Sequence, residues 1–181
     1  MSNISDILKT DILVIGSGVA GLSAAREAAI SKKVIIVSKK INKNATALAQ
    51  GGIAAAIGKN DSVNAHIKDT CYAGAGLCRK KAVKILVEDG INGVKSLIAD
   101  GALFDKDDHG LCLTREGAHS YNRILHAGDT TGSEILRAQQ VLLKKNKNII
   151  FKENSLVLNL ITEKNSCYGA ICMDLNTKRQ F

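Results

Sequence analysis

Two groups of glycines are the residues whose spacing most clearly predicts chemistry. Gly16, Gly18 and Gly21 form a GxGxxG pattern directly after the apolar run 11–15, and residues 50–52 (QGG) form the second group. In GxGxxG the glycines permit a tight turn, close approach of the main chain to a pyrophosphate and close packing of the following helix. The N-terminus of that helix attracts the anion through free N–H groups and a positive dipole end. We therefore predict a phosphate-binding turn at residues 16–21.

The elements around this turn strengthen the prediction. Residues 13–15 are predicted to form a buried strand and residues 19–31 a helix, so the glycines lie at a strand-to-helix turn. Residues 34–37 (VIIV) are predicted to form the next parallel strand. The three elements together indicate one half of a dinucleotide-binding fold.

The residues after the second strand indicate which dinucleotide is disfavoured. An NAD site usually has a carboxylate about 20 residues past the glycines, to bind the ribose. Here the strand is followed by Ser38, Lys39 and Lys40, so an ordinary NAD-binding module is the less favoured alternative. Ser38 is a candidate partner of a ribose hydroxyl and Lys39 of a phosphate. The alternative is that Lys39, Lys40 and Lys43 belong to a solvated loop.

Composition excludes several classes of protein. The 181 residues are 45% hydrophobic and 23% charged, as in a soluble globular protein, and no apolar run approaches the ~18 residues of a membrane span. Residues 1–10 lack the basic start and apolar core of a signal peptide, so a cytoplasmic location is expected. The net charge of +8 is dispersed and aromatic residues make up 3%, so nucleic acid is not expected as a partner.

Cysteine usage predicts neither disulfides nor a metal site. The sequence has five cysteines, an odd number, and none forms a CxxC pair. Cys71 and Cys78 lie in apolar helical surroundings, and Cys167 and Cys172 lie in predicted strands. We expect them to be buried small hydrophobic residues.

Apolar spacing in the rest of the chain predicts three helices and then several strands. Gly90 and Gly93 interrupt the apolar stripe of the second helix, Gly101 is its expected C-terminal cap, and residues 107–110 form a turn between short strands. The predicted helices are 62–73, 81–100 and 133–145, and the predicted strands are 148–151, 155–161, 167–175 and a last one from residue 179.

This order of elements predicts an α/β protein with a Rossmann-like domain, a parallel βαβ sheet followed by a small antiparallel meander. A strand that returns to the parallel sheet after the meander is missing from the sequence. We therefore expect residues 1–181 to be the N-terminal part of a domain that is incomplete at its C-terminus.

Several separate motifs resemble the flavoprotein superfamily of succinate dehydrogenase and fumarate reductase, and within it the L-aspartate oxidase family. The resemblance covers nearly the whole chain. The motifs are residues 45–55 (ATALAQGGIAA), 61–62 (DS) with His66, 69–70 (DT), 73–78 (AGAGLC), 113–120 (LTREGAHS), 123–127 (RILHA) and 129–132 (DTTG).

The resemblance implies FAD as the cofactor and identifies residues that contact it. A helix starting at Gly51 and Gly52 is expected to direct its dipole toward the reduced flavin; the alternative is an ordinary turn at a helix start. Leu156 and Val157 are implied to offer backbone groups near the adenine. The other implied contacts are Ser17, Gly18, Val19, Ala20, Lys39, Ala45, Thr46, Ala47, Leu48, Ala49, Gln50, Gly51 and Gly52.

Glu116 is the residue that the resemblance assigns to substrate selection. A carboxylate repels a plain dicarboxylate but attracts the α-ammonium group that aspartate has and succinate lacks. Arg115 is expected to orient this loop. His119 and His126 are expected to be structural, with direct substrate contact as the alternative, and His66 and His109 are weaker candidates.

The resemblance also implies a reaction: a hydride passes from Cα of L-aspartate to the flavin, giving iminoaspartate, and oxygen or fumarate reoxidises the flavin. Quinolinate synthase is the implied downstream partner. The family's proton-transfer arginine and its capping and helical C-terminal domains lie beyond the matched segment, so no catalytic residue is assigned. Three hypotheses follow: an N-terminal piece of an aspartate-oxidising enzyme, a non-catalytic FAD-binding remnant, or a fragment of the succinate dehydrogenase or fumarate reductase lineage.

Overall fold

The computed structural model describes residues 6–181 and places them in four helices and ten strands. The helices are α1 (Val19–Ala28), α2 (Val63–Ala73), α3 (Lys80–Ala99) and α4 (Thr131–Leu143). The strands are β1 (Ile12–Ile15), β2 (Val34–Val37), β3 (Ile53–Ala54), β4 (Lys106–Asp107), β5 (Gly110–Leu111), β6 (Leu113–Thr114), β7 (Ile124–Leu125), β8 (Ile149–Lys152), β9 (Ser155–Glu163) and β10 (Ser166–Asp174). None of these four helices is long and apolar enough to cross a membrane.

The described chain divides into two compact units. The first comprises the residues up to Leu48 together with Gln139–Phe181, and the second comprises Ala49–Ala138. The first unit contains a parallel sheet in the order β1-β2-β8, with Val34 opposite both Ile12 and Ile149. All four residues of β2 are buried because this strand is central, which explains its unbroken apolar sequence. The predicted α/β fold with a parallel sheet is confirmed.

The predicted meander is present in the first unit as a long hairpin. β9 and β10 are antiparallel, and the turn between them has Lys164 and Asn165 at φ +45° and +66°, the geometry of a two-residue hairpin turn. The strand predicted from residue 179 is present as a short antiparallel pairing with β10: Met173 bridges Gln180, and Cys172 and Phe181 exchange two backbone hydrogen bonds.

Helix α1 ends three residues earlier than predicted. The N–H of Ile30 bonds the carbonyl of Glu27, and the N–H of Ser31 bonds that of Ala28, so a tighter turn replaces the last helical turn. The side-chain amide of Asn148 donates to the carbonyl of Ala29. These bonds satisfy carbonyls that the shortened helix leaves free.

In the second unit, α3 matches the predicted helix 81–100 and runs through Gly90 and Gly93, which interrupt its apolar stripe in the sequence. A Cβ added at Gly90 or Gly93 would have no neighbour within 4 Å, so both glycines lie at open helix surface. The helix is held by its buried face of Val83, Val87, Val94 and Leu97. Gly101, with φ +93°, follows its last turn as predicted.

The cysteines are free, but they are not uniformly buried. Cys172 is buried and packs with Ile35 and Val37, whereas Cys167 is exposed at the start of β10. Cys71 and Cys78 are half-buried. The prediction of a buried Cys167 was wrong because that end of the hairpin extends into solvent.

Candidate functional site

The glycine turn in the first unit has the geometry that a phosphate-binding turn requires. Gly16 has φ +106°, and its N–H donates to the carbonyl of Val37 over 2.8 Å, which ties the end of β1 to β2. A Cβ on Gly21 would lie 2.2 Å from the carbonyl oxygen of Gly16, so only glycine lets α1 pack this closely on the turn. The predicted packing role of Gly21 is confirmed.

The positive end of α1 has no acidic side chain in its first turn. Gly18 is the N-cap, in extended conformation, and it offers no side-chain acceptor. The main-chain N–H groups of the turn other than those of Gly16 and Val19, together with the uncompensated dipole, fit a pyrophosphate. A Cβ at Gly18 would meet the hydroxyl oxygen of Thr46 at 3.3 Å, so the space over the turn is narrow.

Residues 44–47 are fastened to this turn by side chains. The N–H of Val19 donates to Thr46 Oγ1 over 3.1 Å, so Thr46 caps α1 from a distant part of the chain. The amide of Asn44 donates to the carbonyl of Ser17 over 3.2 Å, and Asn44 Oδ1 accepts from the N–H of Ala47 over 3.0 Å. These contacts bring together two segments that the resemblance assigns to FAD.

The serine predicted to bind a ribose is already hydrogen-bonded. Ser38 Oγ lies 2.7 Å from the buried Ser17 Oγ, and it donates to the carbonyl of Lys40 over 3.2 Å. Lys39 is exposed. The N–H of Ser155 donates to the carbonyl of Ser38, so the start of β9, with the half-buried Leu156 and Val157, lies at the end of β2. Ribose and adenine contacts at these positions stay predictions.

The helix expected at Gly51 and Gly52 is not present. Residues 45–48 form turns, and β3 begins at Ile53, whose partner in β7 is Leu125. A Cβ on Gly52 would lie 2.2 Å from Ile124 Cγ2 and 2.6 Å from the carbonyl oxygen of Leu125. Gly52 therefore leads into a paired strand and not into a helix, so these residues provide no helix dipole.

Glu116, the residue predicted to bind substrate, is hydrogen-bonded to a histidine in the second unit. Glu116 Oε1 lies 2.9 Å from His126 Nε2, and His126 Nδ1 lies 3.1 Å from Thr114 Oγ1. The Glu116 side chain is 50% exposed, whereas that of His126 is 22% exposed. Within residues 6–181 the structure gives no partner to the second carboxylate oxygen, which leaves it available to a cation.

The second unit also contains a buried cluster of charged residues that the sequence did not predict. Its centre is Arg123, which lies between Glu116 and His126 in the sequence. Arg123 is fully buried and makes a two-pronged contact with Asp61, through Nε and Nη2 at 2.8 Å each. Its Nη1 lies 2.9 Å from Asp69 Oδ2 and 3.4 Å from His119 Nδ1. Paired carboxylates and the fork of the guanidinium satisfy one another where water is excluded.

The buried cluster anchors the loop that carries Glu116. The N–H and hydroxyl of Ser120 donate to Asp69 over 2.8 and 2.7 Å. Arg115, which was expected to orient this loop, is exposed, and its role stays a prediction. Arg123 and Asp69 hold the loop because buried charges, unlike exposed ones, need fixed partners.

Burial and charge set the protonation of this cluster. Burial alone would raise the pKa of Asp69, but the two hydrogen bonds from Ser120 and the charge of Arg123 outweigh it and lower the pKa. Burial, followed by the charge of Arg123, lowers the pKa of His66, whose ring lies 5.7 Å from that of His119. Asp69 is therefore charged and His66 neutral near pH 7.

One sequence signal pointed toward the buried cluster. His66 and Asp69 lie three residues apart on α2 and are its buried residues, whereas the apolar positions Val63 and Ile67 are only half-buried. The polar residues His66 and Asp69 are therefore more deeply buried than the apolar residues of α2. The contact between Arg123 and Asp61 spans 62 residues and has no local signature.

The sequence of the chain is similar to those of known proteins. The chain is 47% identical over 160 residues to an L-aspartate oxidase of Streptomyces coelicolor, covering 86% of this chain and 27% of that protein. It is 45% identical over 170 residues to an L-aspartate oxidase of Bacillus subtilis, covering 92% and 32%. The chain thus spans about a third or less of these relatives, and the predicted resemblance is confirmed.

Solved structures agree on the fold. The Sdh1 complex of Mycobacterium smegmatis in the apo form matches with TM-score 0.84 and 31% identity, covering 91% of this chain and 31% of that chain. The quinol fumarate reductase FrdA of E. coli matches with TM-score 0.88 and 26% identity, covering 92% and 29%. Residues 11–181 match the family described as FAD binding domain. The chain therefore belongs to the FAD-binding domain family, and its cofactor is FAD.

Proposed function

We propose that the protein to which these residues belong oxidises L-aspartate to iminoaspartate with FAD. The observation that carries the proposal is Glu116, whose carboxylate is held by His126 with one oxygen free, in a chain 35% to 47% identical to several L-aspartate oxidases. A carboxylate placed this way attracts an α-ammonium group and repels a substrate that has only carboxylates.

The residues of the first unit hold the nucleotide end of the cofactor in this proposal. The main-chain donors of the turn 16–21 bind the pyrophosphate, with Thr46 and Asn44 fixing the neighbouring segment. Bound FAD supplies an acceptor for a hydride. Among residues 6–181 we assign no proton-transfer residue, since the buried carboxylates of Asp61 and Asp69 are paired with Arg123.

The electron acceptor in the proposal is oxygen or fumarate, and quinolinate synthase acts on the product. Fumarate is named because the chain resembles a quinol fumarate reductase. The same likeness supports a second candidate, a flavoprotein of the succinate dehydrogenase and fumarate reductase lineage. Glu116 disfavours that candidate because its charge would oppose succinate. A non-catalytic FAD-binding remnant is the third.

A chimera tests the proposal. Residues 11–181 replace the matching segment of the Bacillus subtilis relative, and flavin reduction by L-aspartate is measured without oxygen. We expect reduction by aspartate, and a KM for aspartate raised roughly tenfold or more by Glu116→Gln, the value of a lost charged hydrogen bond. Reduction by succinate and not by aspartate would favour the second candidate. A folded, FAD-bound chimera reduced by neither would favour the remnant.

A further inference from the structure

The contacts of Glu116 point to a second residue that sets substrate preference. We propose that His126, backed by Thr114, is a positioning residue that holds the Glu116 carboxylate beside Gly52 and so favours an amino dicarboxylate over a plain dicarboxylate. The inference rests on the proposed function, because it concerns how Glu116 selects its substrate.

The hydrogen bonds fix which nitrogen of His126 carries the proton. An ionised carboxylate only accepts hydrogen bonds, so Nε2, 2.9 Å from Glu116 Oε1, must be the donor. In the neutral ring Nδ1 is then an acceptor, and the Thr114 hydroxyl, 3.1 Å from Nδ1 and 3.5 Å from the carbonyl of Ile124, donates to the nearer of the two. Thr114 thus selects the tautomer that His126 needs to hold Glu116.

With its imidazole neutral, His126 leaves the negative charge on Glu116. A neutral imidazole donates one hydrogen bond without cancelling the charge of the carboxylate, whereas an arginine or lysine at the same position would neutralise it. The second carboxylate oxygen has no partner among residues 6–181 and stays free for an ammonium group. His126 therefore orients the carboxylate and preserves its attraction for a cation.

Orientation matters because Glu116 is half exposed. A free glutamate side chain samples several rotamers and loses that freedom when it binds a ligand, which weakens binding. The contact with the less exposed His126 restricts the side chain before the ligand arrives. Preorganisation of this kind improves affinity without adding a contact to the ligand.

The pair also has a defined place in the second unit. A Cβ on Gly52 would lie 2.8 Å from His126 Nε2, so the ring packs directly on the segment 49–52 that is predicted to contact FAD. The N–H of Gly132 donates to the carbonyl of Ala49 over 3.0 Å and fixes the start of that segment. Glu116 is therefore held beside residues predicted to contact the flavin.

Nitrogen NMR of the full chain tests the contact itself, with no need for turnover. The chain has four histidines, so ¹⁵N-histidine labelling gives few signals, and His126→Leu assigns the one that matters. We expect neutral His126 to be protonated on Nε2, and Glu116→Gln or Thr114→Val to shift its ring nitrogens, whereas Glu134→Gln does not. A ring protonated on Nδ1, or one insensitive to Glu116→Gln, would overturn the proposal.

Kinetics of the chimera test the consequence. We expect His126→Leu to raise the KM for aspartate roughly three- to tenfold with little change in kcat, while the inhibition constant of succinate does not rise. His126→Gln should restore most of the loss, because its amide still donates from the same place. The double variant with Glu116→Gln should be no worse than Glu116→Gln alone.

The outcomes separate this proposal from the proposed function. If Glu116→Gln raises the KM for aspartate and His126→Leu does not, the proposed function stands and the positioning role is wrong. Equal effects of His126→Leu on aspartate and succinate also contradict the positioning role. If Glu116→Gln affects both ligands equally, substrate selection by Glu116 fails, and the positioning proposal fails with it.

Discussion

The candidate sites of the two units consist of different chemical groups. The site residues of the first unit are main-chain donors and hydroxyls around the turn 16–21, with Thr46 as a neutral cap. The second unit uses ionised side chains, with Arg123 buried between Asp61 and Asp69. A site made of main-chain groups requires glycines at the positions where a Cβ would block access. A site made of buried charges requires every one of its charged side chains. The first type therefore tolerates most side-chain changes, and the second tolerates few.

The largest expected effect falls in the second unit. Arg123→Met leaves two buried carboxylates without their cation, and we expect unfolding free energy to fall by about 3–5 kcal/mol. Urea denaturation followed by circular dichroism measures the loss. Lys84→Met, which breaks an exposed pair with Glu88 at 3.8 Å, serves as the control and should change stability by less than about 1 kcal/mol. A similar small loss for both variants would contradict the contrast between the units.

Gly21→Ala tests the first unit by adding one carbon. The new Cβ would meet the backbone of Gly16 at 2.2 Å, and we expect a loss of about 1–3 kcal/mol together with weaker FAD binding. Gly90→Ala is the matched control, since a Cβ there has no neighbour within 4 Å. Because alanine is the better helix former, this control should gain roughly 0.5–1 kcal/mol. Equal behaviour of the two variants in denaturation would refute the close packing of α1.

Thr46→Val removes the hydroxyl that caps α1 while keeping the shape of the side chain. We expect a loss of about 1 kcal/mol in unfolding free energy, the usual contribution of an N-cap. Thr46→Ser keeps the hydroxyl and should lose less than half as much. If valine and serine behave alike, the hydroxyl of Thr46 contributes nothing as a cap.

His66 gives the smallest effect, a pH dependence of stability. Its pKa in the folded chain lies below the ordinary value of 6.5, so the unfolded chain binds the proton more readily. Stability is therefore full above pH 6.5 and decreases as pH falls from there through the folded pKa. His66→Leu should reduce this dependence, and the exposed His109→Leu should not. The free energy of unfolding of the natural chain and of the two variants is measured between pH 7 and pH 5. Equal slopes of this free energy against pH in all three proteins would disprove the assignment to His66.

Local rules predicted most of the first unit from the sequence. The apolar run of β2, the GxGxxG spacing and the turn at Lys164 and Asn165 each reflect a short-range constraint, and the structure retains all three. The helix expected at Gly52 was wrong because pairing of Ile53 with Leu125, far along the chain, determines the conformation there. Short sequence patterns cannot predict a contact between residues so far apart in the sequence.

The charged cluster was missed for the same reason. Asp61, Asp69 and Arg123 were visible in the sequence as polar residues, but their role depends on contacts between residues 54 and 62 positions apart. Glu116 was identified only through a family resemblance, and its partner His126 was expected to be structural. The structure joins these two residues through a hydrogen bond that spacing did not indicate.

FAD binding by the purified chain tests the central claim, that main-chain groups of the turn 16–21 hold the cofactor. Gly18 has φ −72°, a conformation open to any residue, so Gly18→Val fills the space beside Thr46 without backbone strain. Quenching of flavin fluorescence measures the dissociation constant for both proteins. We expect saturable binding by the natural chain, competition by ADP, and at least about tenfold weaker binding by Gly18→Val, from loss of the pyrophosphate contacts. Equal affinity of a folded Gly18→Val variant would contradict the account.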